Sequence, residues 1–171
     1  MAKILLTAGP TRAYIDDVRY LTNASSGRMA CSIAEAALAR GHEVTIVSGP
    51  VHVDYPRKAE LIPVMTTAEM LAASLSRLAD CDGVIAAAAP CDFEPVRRAA
   101  GKIPRRGSGL ALQLKPTTDV IATLAARSKK RQWFVAFALE PGADPRRAFE
   151  KIEAKRSEEH TSELQSPCNL V

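Results

Sequence analysis

KILLTAGP at residues 3–10 and EVTIVSGP at residues 43–50 decide the fold. Each is a short apolar run that stops at Gly-Pro, as a buried strand stops at a turn. Between them, from about Ser26 to Arg40, Met29, Ile33, Ala34 and Ala37 recur at helical spacing. Ser25 is placed to cap that helix, and Gly41 lies just past its end, where a left-handed residue is wanted. Strand, helix and strand in this order make a βαβ unit, which implies a parallel sheet.

The same grammar continues outward. Glu60–Met65 reads as a third strand, and Thr66 with Glu69 forms a capping box for a helix to about Leu78. Gly83–Ala89 (GVIAAAA) is an unbroken apolar run, expected as a strand buried on both faces. Thr117 begins a helix to about Lys129, Trp133–Leu139 is a fifth main strand, and Ala143–Lys155 is a last helix. Two long connections remain. Gly9 to about Ala24 reads as a loop, and Pro90–Lys115 as a mobile basic loop with a short strand near Leu110–Leu114. The expectation is one α/β domain over residues 1–155, a Rossmann-like parallel sheet with helices on both faces. Ligands of such sheets bind on the loops after the strands, here Gly9–Ser26, Pro90–Lys115 and Glu140–Ala143.

Of the 171 residues, 47% are apolar and 25% charged, an ordinary globular balance. No apolar run approaches the length of a membrane span, and no leader precedes Lys3, so a cytoplasmic location is expected. Cys31, Cys81, Cys91 and Cys168 show no metal-ligand spacing. The net charge is +4, and without the one Arg and three Glu of residues 156–171 it rises to +6, which favours anionic partners; on charge alone a merely soluble basic surface fits as well. The basic residues are dispersed with few aromatics among them, which argues against a nucleic-acid face; a phosphorylated small molecule fits as well.

Three groups of residues could carry chemistry. Asn23 and Ser25-Ser26-Gly27 stand at a helix start, where small residues let phosphate approach free N–H groups and the helix dipole favours the anion. Taken alone, the triplet also reads as an ordinary cap and Asn23 as a turn amide. Asp92 follows a buried strand, and Lys102, Arg105 and Arg106 lie on a Gly-bounded flap that could fold over a polyphosphate, or could be a solvated charge run. Phe137 ends the last main strand, and Lys151 and Lys155 are four apart, on one helix face. Such a pair is also common on a wet face, and Phe137 could be core. No Walker loop and no GxGxxG is present.

In this order, ILLTAGPTR…IDDVRYLTNASSGRMA, VTIVSGPV, VIAAAAPCDF…GKI, PTTDVIATL and FVAFALE resemble phosphopantothenoylcysteine synthetase, the synthetase half of the bifunctional coenzyme A biosynthesis flavoprotein. The likeness runs from Lys3 to Lys155. It implies a ligase that joins 4′-phosphopantothenate to cysteine through an acyl-cytidylate, with CTP as co-substrate, Mg2+ shielding the triphosphate, and metal ligands unassigned. By position it gives Asn23 the key amide that holds the acyl intermediate, and Lys102 the flap lysine that stabilises phosphate charge. It gives Asp92, Phe137, Lys151, Lys155, Ala86, Ala87, Ala88 and the turn Thr118, Asp119, Val120, Ile121 nucleotide contacts. Gly9, Pro10, Thr11 and Ser25, Ser26, Gly27 would lie near phosphates through backbone donors. Arg28, Pro104 and Ala136 depart from the family's usual lysine, lysine and glycine.

No flavin-binding half precedes Met1, so no FMN is expected. Residues 156–171 are polar with no strand period, and RSEEHTSELQS matches what a common sequencing adapter spells in one frame. They are expected to be a non-native tail. Family members continue with segments used in homodimer contacts, and without them this chain is expected to lose the dimer. Small-molecule substrates are the expected partners, with no nucleic acid and no membrane. An ATP-using ligase is the near alternative. An NAD(P) oxidoreductase is the distant one, but Tyr55 has Ala59 rather than lysine four residues on.

Overall fold

The computed structural model describes residues 1–105, 107 and 109–137. Its centre is a five-stranded parallel sheet: β1 (Lys3–Ala8), β4 (Glu43–Ser48), β5 (Glu60–Pro63), β6 (Gly83–Ala86) and β9 (Trp133–Ala136), in the order β5-β4-β1-β6-β9. β1 is central, paired with β4 from Lys3↔Glu43 to Ala8↔Ser48 and with β6 from Ile4↔Gly83 to Thr7↔Ala86. Alternation along β1 divides the core. Ile4, Leu6 and Ala8 pack with Ala30, Ala34 and Ala37 of α1 (Arg28–Ala39). Leu5 packs on the other face with Met70 and Leu78 of α2 (Thr67–Leu78) and with Val120 and Leu124 of α3 (Val120–Ala126). Leu5 and Leu6 are both fully buried, each contributing about 1.5–3 kcal/mol by apolar transfer. The expected class, a Rossmann-like sheet with helices on both faces, is the observed one.

The boundaries of β1, β4 and α2 fall where the sequence puts them, and Thr66 and Glu69 form both halves of the capping box. Elsewhere the structure corrects the reading. The first helix begins at Arg28, not Ser26, and its cap is Gly27 in the left-handed region (φ 76°), not Ser25. A Cβ at Gly27 would lie 2.9 Å from both the Tyr55 hydroxyl and Val51 Cγ1, so the chain turns where only glycine fits. The apolar stripe accordingly shifts to Ala30, Cys31, Ala34 and Ala37, with Met29 exposed.

Both long connections contain ribbons the sequence reading lacked. β2 (Arg12–Tyr14) pairs antiparallel with β3 (Tyr20–Thr22), and β7 (Phe93–Pro95) with β8 (Leu114–Pro116), which replaces the expected strand near Leu110–Leu114. The strands expected at Glu60–Met65 and Gly83–Ala89 end earlier, at Pro63 and Ala86. In the latter, Gly83, Val84 and Ala86 are buried and Ile85 half-buried. α3 starts at Val120 because the Asp119 side chain accepts from the Ala122 N–H, and it ends at Ala126. The fifth strand ends at Ala136; Ala138 onward and the Ala143–Lys155 helix lie outside the described residues. Among the described residues, no helix is long and apolar enough to cross a membrane.

Candidate active site

The chain order reverses between β1 and β6: β4 and β5 lie to one side of β1, β6 and β9 to the other. In such sheets ligands bind in the crevice outside the carboxyl ends of the strands, at this reversal. A cavity of about 630 Å³ occupies it, with Thr7 of β1, Ala86 of β6 and Ala136 of β9 in its lining. That volume suits a small-molecule ligand.

Asn23, Ser25, Ser26, Gly27, Ala86, Ala87, Ala88, Asp92, Thr118, Asp119, Val120, Ile121 and Phe137 all line this one cavity. They come from separate stretches of chain, and the backbone explains their convergence. Beyond β6 the chain keeps following the loop after β1: the Ala87 N–H donates to Thr7 O, the Ala89 N–H to Gly9 O, and Ala89 bridges Pro10. Asn23 then ties its own loop to that turn, its Nδ2 donating to Ala89 O (3.2 Å) and Pro90 O (2.9 Å). Carbonyl oxygens only accept, so the amide nitrogen must face them. The Phe137 N–H donates to Ala86 O, which holds the end of β9 against the same wall.

The N-terminus of α1 opens onto the cavity through Ser26, Gly27, Arg28 and Met29. It has no side-chain cap bond and no acidic residue in its first turn; the nearest substitute is the Ser26 Oγ, 3.4 Å from the Arg28 N–H. By contrast, α2 and α3 are capped by Thr66 and Asp119. An uncapped helix start with a cation beside it attracts an anion through free N–H groups and the helix dipole.

Gly9, Pro10 and Thr11 lie beneath the cavity rather than on its lining. Gly9 holds φ 68° close against Val51. The Thr11 hydroxyl is fully buried, bonds Thr67 Oγ1 at 2.8 Å and accepts the Cys91 N–H at 2.8 Å. Thr117 Oγ1 donates to Cys91 O at 2.6 Å, and Thr22 Oγ1 to Thr11 O at 2.8 Å. These threonines brace the Ala89–Asp92 turn from behind. Lys102 is exposed and does not line the cavity; Lys151 and Lys155 lie outside the described residues. Tyr55 is also outside the lining, its hydroxyl 2.9 Å from Ser48 Oγ.

Arg28, noted only as a departure from the family's lysine, joins the lining, as do Met29, Thr67, Cys91 and Thr117, none of them expected there. Arg28 and Met29 follow the Ser-Ser-Gly triplet directly, a signal the sequence carried. Thr67 opens a helix more than forty residues away, and nothing local marks it. Burial raises the Cys31 and Cys81 thiols above their ordinary range, so both stay protonated near neutrality.

Residues 1–159 match the family described as the DNA/pantothenate metabolism flavoprotein C-terminal domain. The chain is 42% identical over 153 residues to the coenzyme A biosynthesis bifunctional protein CoaBC of Bacillus subtilis, covering 89% of this chain and 37% of that protein. It is 40% identical over 154 residues to a cysteine/cysteine sulfinic acid decarboxylase of an unknown prokaryotic organism, covering 90% of this chain and 43% of the other. It thus spans about two fifths of the length of these relatives. Among solved structures, the C-terminal domain of CoaBC superposes with a TM-score of 0.80 at 35% identity, over 91% of this chain and 74% of that one.

Proposed function

The chain belongs to the DNA/pantothenate metabolism flavoprotein C-terminal domain family, and on that premise we propose that it is the ligase domain joining 4′-phosphopantothenate to cysteine in coenzyme A biosynthesis, with CTP as the activating nucleotide. One observation carries the reading. Asn23, Asp92 and Phe137, from three separate loops, meet at one cavity beside an uncapped helix start.

The chemistry follows from what a carboxylate lacks. It is a poor electrophile, so its oxygen first attacks the α-phosphorus of the nucleotide; pyrophosphate leaves and an acyl-nucleotidylate forms. The cysteine amine then attacks the acyl carbon, nucleoside monophosphate leaves with the bonding pair, and the amine proton passes to solvent or a base. The N–H groups at the start of α1 and the Arg28 guanidinium would receive the phosphates. The small side chains of Ala86, Ala87 and Ala88 leave a smooth wall for the nucleoside, with Phe137 as a stacking surface. Asn23, fixed through its nitrogen, keeps its carbonyl oxygen as the group that can meet the intermediate. Lys102 would reach the phosphates with its side chain from the flap, and Lys151 and Lys155 would come from the segment after Phe137.

A divalent cation would neutralise triphosphate charge. Among the described residues no cluster of three or more potential ligands exists, and Asp119 already caps α3. Asp92, on the cavity lining, would be the protein group able to meet an ion carried by the phosphates, and the ion would shield their charge. A cytoplasmic setting goes with these substrates. We also place residues 156–171 outside the domain, although the family match runs on to residue 159.

The test is pyrophosphate release in the presence of 4′-phosphopantothenate and cysteine. Release with CTP and not ATP is expected; release with ATP alone would move the nucleotide assignment, and release with neither would defeat the ligase reading. Asn23→Ala should still bind CTP and release pyrophosphate once, then accumulate the acyl-cytidylate.

A further inference from the structure

Lys102 lies outside the cavity, but its neighbours on both sides are held by one hairpin tip. The Ile103 N–H donates to Asp16 Oδ2 at 3.0 Å, and the Ile103 carbonyl accepts from Arg19 Nη2 at 2.8 Å. Arg19 in turn grips Asp16 through Nε and Nη2, at 3.0 and 2.5 Å. On the other side of Lys102, the Gly101 N–H donates to Asp17 Oδ2 at 2.7 Å, and the Gly101 carbonyl accepts from the Asp17 N–H at 3.4 Å. Arg98 pairs with Asp17 Oδ1 at 2.8 Å while its guanidinium sits 4.9 Å over the Tyr14 ring. The Ala99 N–H adds a bond to Ile15 O.

Asp16 has Arg19 and Asp17 has Arg98, and both carboxyls are held below the usual carboxylate range by those partners. Asp16 is enclosed by the groups that bond it: the Val18 and Arg19 N–H groups take Oδ1, leaving Oδ2 for Arg19 and Ile103. Gly101 adopts φ 66°, which lets the chain present successive backbone groups to successive carboxylates. The backbone at Lys102 is thereby pinned on both sides while its side chain stays exposed.

We propose that Asp16 and Asp17 are positioning residues that seat Lys102 for the reaction, clasping the residue before it and the residue after it. The proposal rests on the reading that Lys102 meets the nucleotide phosphates, and it goes beyond it by naming what aims that lysine. Neither carboxylate lines the cavity, so neither touches the reacting atoms.

Asp17→Ala is the informative variant, because its pair with Arg98 is about half exposed and exposed pairs contribute little to global stability. Limited trypsin treatment reads the clasp directly, since cleavage after Lys102 needs the segment released. Cleavage there should speed up roughly tenfold while the unfolding midpoint stays within about 2 °C of the parent. In pyrophosphate release, Asp17→Ala should lower turnover roughly tenfold in the parent but less than about twofold in a Lys102→Gln background, since both changes remove one function. Unchanged cleavage overturns the clasp. Faster cleavage with parental turnover, or equal losses in both backgrounds, overturns the positioning role. If Lys102→Gln itself turns over normally, the positioning role falls because the reading of Lys102 falls, and the cleavage result still reports separately whether the clasp exists.

Discussion

Replacing Thr11 with valine removes one oxygen and keeps the shape of the side chain. That oxygen is fully buried and serves two partners, Thr67 Oγ1 and the Cys91 N–H, both at 2.8 Å. With valine in place the Cys91 N–H stays buried without an acceptor, which costs about 1–3 kcal/mol, and the hydroxyl–hydroxyl bond is lost at about 0.5–1.5 kcal/mol. The expected destabilisation is about 2–4 kcal/mol, a fall in Tm of roughly 5–15 °C for a domain of this size. Urea unfolding with an unchanged m-value is the assay. Thr11→Ser keeps the oxygen and gives up one methyl, so it should cost only about 1 kcal/mol. A Thr11→Val protein within about 0.5 kcal/mol of the parent would refute the view that buried threonines brace the turn carrying Cys91 and Asp92.

Other outcomes follow from single close approaches and from proton binding. Gly49→Ala would set its Cβ 1.6 Å from Pro10 O, a backbone atom that cannot step aside, so denaturant unfolding should show a loss above about 3 kcal/mol. Gly83→Ala meets the Trp133 ring at 2.1 Å; a side chain can shift, so the loss should be smaller, about 1–3 kcal/mol, with altered Trp133 fluorescence. Thr66→Ala removes the capping-box hydroxyl and should cost about 1 kcal/mol in the same assay. Asp16 and Asp17 are more acidic folded than unfolded, so their contribution is present above about pH 4 and is lost as pH falls further. Cys31 and Tyr55 are less acidic folded than unfolded, so stability should decline as pH rises past about 8.5; a midpoint scan from pH 3 to 10 checks both limbs.

What the sequence made legible follows physical range. β1, β4 and α2 are readable because each is long enough for its period to repeat and carries its own stop or cap: Gly9-Pro10, Gly49-Pro50, Thr66 with Glu69. β2, β3, β7 and β8 have three residues each, too short for a period, and they exist only as hairpin partners, β2 with β3 in the first long loop and β7 with β8 across the second. The start of α1 was misread because Ser25 has the right chemistry for a cap, while tight packing of Val51 and Tyr55 on Gly27 decides the turn. That Asn23, Asp92 and Phe137 gather at one cavity was legible from motif order, from the helix start after Asn23 and from the strand ends before Asp92 and at Phe137. The displacement of Gly9, Pro10 and Thr11 to a layer beneath the cavity was not, because it depends on Thr67 and Cys91 approaching from far along the chain.

The proposed ligase requires a nucleotide in the crevice at the carboxyl ends of β1 and β6. Amide chemical-shift mapping during a CTP titration tests it most directly. Saturable shifts gathered at Ser26–Met29, Ala86–Ala88, Asp92 and Phe137 are predicted. Shifts gathered on another face, or none at millimolar CTP, would contradict it.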